Sequence, residues 1–234
     1  MPRKWVSAVF VAGFAAALGF AAPAKAGPTV EKIKQAGGLS CGVPTGIPGF
    51  GMPDSQGKYS GLDVDICRAI SAAVFGDPDK VKYVPLTAQQ RFTALQSGEV
   101  DILSNNTTVT LSRDTQLGLN FAPVVRHGDE EWHDIVDWTI YALIEAEEKG
   151  ISQKNLDEMA KSESPDIKRM LGSTPGMGKS LGLDEKWAYN AIKAVGNYGE
   201  IFDRHLGLNT PLKLERGYNN LWTKGGLIYA MPIR

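Results

Sequence analysis

The residues best suited to ligand chemistry lie in one stretch, residues 100–114, VDILSNNTTVTLSRD. Three of its first four residues are apolar, and they predict a buried strand, after which hydroxyl and amide side chains follow. Thr110 is placed to cap a helix that begins at Leu111. A helix N-terminus favours a small anion, and the fork of Arg113 can bind a carboxylate through two hydrogen bonds. The stretch therefore predicts a carboxylate site, and the alternative is an ordinary polar turn with a solvated arginine.

The composition is that of an exported globular protein. The chain has 234 residues, a net charge of −1 and 43% hydrophobic residues, which allows a sizeable core and does not indicate a nucleic-acid partner. Residues 1–26 combine a basic start, an Ala-rich apolar run and the sequence AKA. This pattern predicts a cleaved secretory signal peptide, with a retained membrane anchor as the less favoured alternative. In a Gram-negative cell the mature chain is expected in the periplasm.

Cysteine and histidine usage limits the possible metal and redox chemistry. The two cysteines, Cys41 and Cys67, are expected to form a disulfide in an exported protein, and two buried thiols are the alternative. The three histidines, His127, His133 and His205, lack the spacing of metal ligands. We therefore expect no metal and no cofactor.

The first half of the chain alternates between strand and helix patterns. Periodicity predicts strands at 39–43, 81–86 and 100–103 and helices at 29–38, 64–75 and 87–97. Such alternation is typical of an α/β sheet with parallel strands, whose ligands lie beyond the carboxyl ends of the strands. The Gly- and Pro-rich loop at 44–57, Arg91 and residues 106–113 all follow strand ends. We therefore expect them to meet at one edge of the sheet.

Two carboxylates lie near the start of the helix predicted at 64–75. Asp63 is placed to cap this helix, and Asp65 is expected on a solvated face. A catalytic carboxylate pair is the alternative, because acid–base chemistry uses two nearby carboxylates. The capping interpretation is favoured.

The second half of the chain is predicted to be mostly helical. Helices are expected at 129–149, 152–161, 183–195 and 198–206, with a further one beginning at Ser164-Pro165, and residues 172–182 are expected to form a Gly-rich loop. Asp129, Glu130, Glu131 and His133 could hold a metal, but acids in the first turn of a helix are the favoured explanation. GSTPGMGKS does not have the spacing of a phosphate loop. Trp222 and Tyr229 are expected to pack against the domain from an irregular tail.

Several long segments resemble one family of proteins. The segments are GKYSGLDVDICRAISAAVFGD, TAQQRFTALQSGEVDILSNNTTVTLSRD, NYGEIF and LWTKGG. They resemble the periplasmic amino-acid-binding proteins of ABC importers, more narrowly the general L-amino-acid-binding branch of solute-binding protein family 3. The resemblance implies an α/β, periplasmic binding protein-like II fold, a free L-amino acid as ligand, the membrane permease subunits of an ABC importer as partners, and no catalysis.

The resemblance also implies a set of ligand-binding residues. Arg113 would bind the α-carboxylate of the amino acid, with Thr108 and Asn106 adding hydrogen bonds from the same loop. Arg91 would face the ligand from the start of its helix. The side-chain pocket would be lined by three residues of the loop after the first strand: Thr45, Ile47 and Phe50.

The chain departs from the family at one point. The family places a second lobe of roughly a hundred residues after the segment that ends here at Ala122, whereas Pro123 already resembles the returning segment. Residues 27–122 and 123–234 would thus form one lobe, a mixed, mostly parallel sheet flanked by helices plus a helical C-terminal segment. The acidic partner of the ligand ammonium group would be missing with lobe 2. We therefore expect impaired binding; the alternatives are a relic that no longer transports and a periplasmic enzyme on the same fold.

Overall fold

The fold is built around a five-stranded mixed sheet. The computed structural model describes residues 27–108, 118–119 and 123–234, with no side-chain description for 118–119. The sheet order is β4-β1-β5-β7-β6, where the strands are β1 (Leu39–Pro44), β4 (Val81–Leu86), β5 (Ile102–Ser104), β6 (Gly118–Leu119) and β7 (Pro123–Val125). β1 lies parallel to both β4 and β5, and β7 is antiparallel to β5 and β6. A small antiparallel pair, β2 (Met52–Pro53) and β3 (Tyr59–Ser60), projects from the loop after β1.

Helices cover the sheet and form the C-terminal half. They are α1 (Pro28–Ala36), α2 (Leu62–Phe75), α3 (Arg91–Ser97), α4 (Glu130–Glu148), α5 (Leu156–Met159), α6 (Pro165–Met170), α7 (Met177–Ser180), α8 (Trp187–Val195) and α9 (Tyr198–His205). Two 3₁₀ turns, Gly217–Asn219 and Trp222–Lys224, interrupt the tail. No helix among the described residues combines the length and apolar composition needed to cross a membrane.

Several predicted element boundaries were wrong. α2 begins at Leu62 with Gly61 at its N-cap position, so Asp63 lies within the helix and does not cap it. The helix predicted at 87–97 begins only at Arg91, because residues 88–90 form a turn. The helix predicted at 152–161 shortens to the single turn α5, the one predicted at 183–195 begins at Trp187, and the loop predicted at 172–182 contains α7. The cap and helix start predicted at Thr110 and Leu111 lie outside the described residues.

One hydrophobic core joins the two halves of the chain. Buried side chains from Val30 to Ile233 belong to a single cluster that links β1, α2, α4 and α8. Cys41 on β1 and Cys67 on α2 are joined in this core by a disulfide, with their Cα atoms 6.3 Å apart. Burial of apolar surface in one continuous cluster is the main stabilisation of such a domain. Residues 27–108 and 123–234 therefore stabilise each other.

Polar contacts connect the same two halves. Arg126, directly after β7, donates to the carbonyl oxygens of Leu95 and Val100 at 3.0 and 2.7 Å. Asp129 caps α4 by accepting from the Trp132 N–H at 3.1 Å, and its other oxygen accepts from the Thr29 N–H at 2.7 Å. The segment that follows β7 is thus fixed to the N-terminal part of the chain by hydrogen bonds as well as by the core.

Two carboxylates on the helical side of the fold are paired with cations. Asp65 on α2 accepts from Arg204 Nη2 at 2.6 Å and lies 2.7 Å from Nε2 of His205. Burial alone would raise the pKa of Asp65, but hydrogen bonds and charge from His205 and Arg204 lower it below its usual value. Glu147 on α4 binds Arg216 through two hydrogen bonds of 3.2 and 3.1 Å. These pairs fix α9 and the tail to α2 and α4.

The tail differs from its predicted packing. Trp222 and Tyr229 were expected to pack against the domain, but they are 56% and 47% exposed. Their rings contact each other edge to face, and Trp222 Nε1 donates to Glu148 at 3.1 Å. The prediction was wrong because Leu221, Ala230 and Ile233 provide the buried apolar contacts of this segment.

Candidate functional site

The carboxyl ends of β1, β4 and β5 meet at one edge of the sheet, and Asp63 lies beneath it. Its carboxylate accepts from Ser104 Oγ at 3.0 Å and from the backbone N–H of Asn106 at 2.9 Å. Asp63 is buried, and this burial raises its pKa from 3.8 to about 6, against the opposing effect of the two hydrogen bonds. α2 thus holds the first residues of the polar loop after β5 through one carboxylate.

Arg91 and Asn105 hold the same loop from the other side. Arg91 is buried, and its Nη1 donates to the carbonyl oxygen of Asn105 at 2.7 Å. The Asn105 side-chain amide donates to the carbonyl oxygen of Leu86 at the end of β4, at 3.0 Å. Asn106 adopts the left-handed conformation, with φ of 41°, which asparagine tolerates better than most residues. This turn, together with the contact to Asp63, sets the path of the backbone as it leaves β5.

The loop after β1 closes over the start of α2. Ile47 and Gly51 form an antiparallel bridge, and the carbonyl oxygen of Phe50 accepts from the Asp63 N–H at 2.9 Å. Gly61 has φ of 141°, and a Cβ there would lie 2.1 Å from the carbonyl oxygen of Phe50. Only glycine therefore fits at position 61, because the loop crosses directly above it.

The structure places the predicted ligand residues in different surroundings. Thr45, Asn106 and Thr108 are exposed, Ile47 is 37% exposed, and Phe50 is half-buried. The backbone N–H of Asn106 donates to Asp63. Arg91 lies beneath the loop, where it donates to the Asn105 carbonyl oxygen. Thr108 is the last described residue of this loop. Arg113 lies outside the described residues, so its predicted role stays a prediction.

A cavity of about 440 Å³ opens beside this edge. Asp63, Ser104 and Phe50 form its sheet-side wall, and apolar residues of α4, α9 and the tail form the opposite wall: Ile140, Ile144, Phe202, Leu206, Leu214 and Ile228. The volume lies within the range of about 300–1,000 Å³ that is typical of small-molecule sites. A mostly apolar space with a few polar groups in its wall can bind a small organic ligand.

Asp63 and Asp65 are the site residues that the sequence interpretation assigned incorrectly. Both were expected to be a cap or a solvated face, yet both are buried, with 1% and 5% of their surface exposed. A glycine followed by two acids among apolar helical residues (GLDVDI) is a signal that could have indicated buried carboxylates. Their partners, Ser104 and Arg204, are 41 and 139 residues away, so spacing alone does not reveal them.

No group of three or more histidine, cysteine or carboxylate side chains in the described part of the chain could hold a metal ion. Among the described residues, the polar groups at the sheet edge are hydroxyls, amides and backbone N–H groups around the carboxylate of Asp63 and the guanidinium of Arg91. Such groups bind and orient a ligand through hydrogen bonds.

A mixed sheet with loops converging at its carboxyl edge, flanked by helices, is the architecture of a periplasmic binding protein lobe. The fold resembles the ABC transporter/periplasmic binding protein from Brucella ovis with glutathione bound, with a TM-score of 0.85 and 37% identity over 88% of this chain and 99% of that chain. Residues 39–124 match the family described as bacterial extracellular solute-binding proteins, family 3. The chain belongs to this family.

Curated relatives agree with this assignment along the whole chain. The general L-amino acid-binding periplasmic protein AapJ of Rhizobium johnstonii is 39% identical over 344 aligned positions that cover 100% of both chains. The putative amino-acid ABC transporter-binding protein YhdW of Escherichia coli K12 is 37% identical over 93% of this chain and 96% of its own length. The glutamate/glutamine/aspartate/asparagine-binding protein BztA of Rhodobacter capsulatus is 36% identical over 95% of this chain and 98% of its own length.

The alignment to AapJ also measures a difference in length. It covers both chains completely, yet this chain has 234 residues for the 344 aligned positions. About 110 positions, the difference between 344 and 234, therefore have no counterpart here. This number of positions is about the length of a small domain.

Proposed function

We propose that this chain is the substrate-binding component of an amino-acid ABC importer, acting in the periplasm on a free L-amino acid without any chemistry of its own. The observation that carries the proposal is the polar loop after β5, which Asp63 and Arg91 hold at the carboxyl edge of the sheet. Ligands of open α/β sheets bind at this edge. The relatives named above bind amino acids or belong to amino-acid transporters by name, which supports the same class of ligand.

In this proposal Arg113 binds the α-carboxylate of the ligand. Thr108 and Asn106 add hydrogen bonds from the same loop, Arg91 supports the loop from below, and Thr45, Ile47 and Phe50 face the side chain. Residues 1–26 direct export and are removed, which leaves a mature chain that begins at Gly27. The permease subunits of an ABC importer are the proposed membrane partners.

We further propose that the missing positions are most of a second lobe, lost between Ala122 and Pro123, so that 27–122 and 123–234 form lobe 1 alone. A ligand on an open lobe keeps its charged contacts in water, where each contributes only about 0–1 kcal/mol. Loss of the acidic partner of the ligand ammonium group removes about 2–5 kcal/mol more. Together these losses weaken a micromolar site to about millimolar affinity.

The test is isothermal titration of the processed, monomeric chain with L-glutamate, L-glutamine, L-aspartate and L-asparagine, and with glutathione. We expect a dissociation constant of about 1 mM or weaker for the best ligand. Heat should disappear in Arg113→Ala and persist in Arg234→Ala, since Arg234 lines neither the sheet edge nor the cavity beside Asp63.

The possible outcomes of the titration test the carboxylate site and the impaired binding separately. Micromolar binding that is lost in Arg113→Ala would keep the carboxylate site and refute the impairment. Binding that is unaffected by Arg113→Ala would refute the site. A folded chain with no heat for any ligand would support the alternative function, a relic that no longer transports; the length difference from AapJ is the observation that favours this alternative.

A further inference from the structure

The cavity beside Asp63 is almost separate from the proposed amino-acid site. Of the described residues proposed to bind the amino acid, Phe50 lines this cavity, whereas Thr45, Asn106 and Thr108 do not. The other walls come from α2, α4, α9 and the tail. The cavity is therefore a second place where a ligand can bind, and its chemistry differs from that of the polar loop after β5.

The cavity has a closed apolar floor and accessible apolar walls. At the floor, Ile144 on α4 and Phe202 on α9 are only 2% and 3% exposed. Around this floor Phe50 and Tyr198 are half-buried, and Leu214 of the tail is 45% exposed. Water in such a space finds few hydrogen-bond partners, whereas an apolar molecule gains dispersion contacts with these side chains. The space therefore favours an apolar ligand over water.

The charged residues of the cavity are acidic. Among the described lining residues they are Asp63 in the wall and Glu215, which is exposed. Arg216, the cation next to Glu215 in sequence, does not line the cavity: it binds Glu147 through two hydrogen bonds and donates to the Asn219 carbonyl oxygen at 2.8 Å. A ligand carboxylate would thus meet two residues of like charge and no cation among the described lining residues, which disfavours an anion.

We propose that this cavity binds a small apolar molecule that carries no carboxylate. The apolar body of the ligand lies against Phe50, Tyr198 and Leu214, and its polar group points to the mouth, where Glu215 and Asn219 are exposed. A volume of about 440 Å³ leaves room for a ring with a short substituent. Because a free amino acid always carries a carboxylate, this ligand belongs to a different class from the ligand proposed for the loop after β5, and its binding does not depend on that site.

The experiment follows the isoleucine methyl resonances of the processed, ¹³C-methyl-labelled chain during titration with benzyl alcohol, benzylamine and benzoate. We expect the first two probes to shift the resonances of Ile140, Ile144 and Ile228 saturably, with a dissociation constant on the order of 1 mM for so few atoms. Ile33 on α1 does not line the cavity, and its resonance should not shift. Benzoate should bind about fivefold more weakly or not at all, because its charge meets the two acids.

Two leucines of the tail provide a matched pair of variants. Leu214 lines the cavity and is partly exposed, so Leu214→Ala should leave the fold intact and weaken the binding of benzyl alcohol about threefold to tenfold through lost apolar contact. Leu208→Ala removes an exposed leucine that does not line the cavity, and it should leave binding unchanged. Arg113→Ala should also bind benzyl alcohol as the unaltered chain does, which separates this cavity from the amino-acid site.

Four results would overturn the proposal. They are the absence of saturable shifts at the lining isoleucines, benzoate binding as tight as that of benzyl alcohol, equal binding by Leu214→Ala and Leu208→Ala, and loss of binding in Arg113→Ala. The first three would indicate nonspecific apolar binding only. The last would mean that the cavity belongs to the amino-acid site.

Discussion

Asp63 and Asp65 lie two residues apart on α2, and they belong to two regions with opposite electrostatics. Asp63 faces the sheet edge, where its partners are a hydroxyl and a backbone N–H, and burial raises its pKa to about 6. Asp65 faces the helical side, where Arg204 and His205 lower its pKa. The comparison shows that the helical side is stabilised by paired charges, whereas the sheet edge keeps a buried carboxylate at a cost in stability and uses it to hold a loop.

The largest effect is expected from removing the charge on the helical side. Asp65→Asn leaves Arg204 without its counter-charge and removes the carboxylate that contacts His205, which costs about 3 kcal/mol, the lower end of the usual range because Arg204 is partly exposed. Urea unfolding at neutral pH measures the loss. Asp203→Asn, on the exposed face of α9, is the matched control and should change the stability by less than about 0.5 kcal/mol. Equal stability of the two variants would show that the Asp65 cluster contributes nothing net.

The next effect is a pH dependence that belongs to the sheet edge. Because the folded pKa of Asp63 lies above its value of 3.8 in the unfolded chain, the folded state holds more protons between pH 3.8 and about 6. The free energy of unfolding should therefore fall as the pH rises through this window, by up to about 3 kcal/mol from Asp63 alone. Asp65 has the opposite effect, because its pKa is lower in the folded chain than in the unfolded chain. The stabilisation that it contributes is lost as the pH falls below its pKa of 3.8 in the unfolded chain, which is below this window.

Asp63→Asn sharpens this distinction, because asparagine does not titrate. Urea unfolding of this variant and of the unaltered chain should give curves of stability against pH that differ in slope between about pH 4 and pH 6 and run parallel above about pH 7. A variant curve with the same slope as the unaltered chain would mean that Asp63 titrates near its ordinary value. The contrast between the two aspartates would then be wrong.

The smallest of the three effects tests the connection between the two halves of the chain. Asp129→Ala removes the cap of α4 and the acceptor of the buried Thr29 N–H, which together should cost about 1–2 kcal/mol. Asp129→Asn keeps an acceptor oxygen and should recover part of the loss. Thermal unfolding of both variants measures the difference. An alanine variant as stable as the unaltered chain would show that the contacts of Asp129 add nothing net to the connection between the halves.

Much of the architecture could be predicted because it depends on local patterns. Strand β4 and the α2 and α4 helices follow from apolar periodicity, and the α/β class follows from their alternation. The antiparallel position of β7 between β5 and β6 could not be predicted from those patterns. Strands of two or three residues are too short for periodicity to detect, and their pairing depends on contacts distant in sequence.

The candidate site also combines features that follow from local sequence patterns with contacts between residues distant in sequence, which could not be predicted. The polar loop after β5 was recognised from its residue types, but the contacts that hold it, Ser104 and Asn106 with Asp63, join residues about 40 positions apart. Asp63 also satisfied the sequence rule for a helix cap, and Gly61 occupies that position instead because α2 begins earlier. The tail was misjudged because any aromatic residue is a plausible core residue from its type alone, and Trp222 forms its contacts at the surface.

The pairing of β7 with β5 has a consequence for how quickly such a lobe can fold. Leu103 pairs with Val124, so the sheet closes across about 20 residues of chain. If the missing positions lie between these strands, as we propose, a relative such as AapJ must close the same pairing across about 110 more. Loop closure over the longer segment costs about 1.5 kcal/mol more in chain entropy, and pairings between distant residues slow folding. A shortened chain would thus lose ligand affinity but reach its folded lobe sooner.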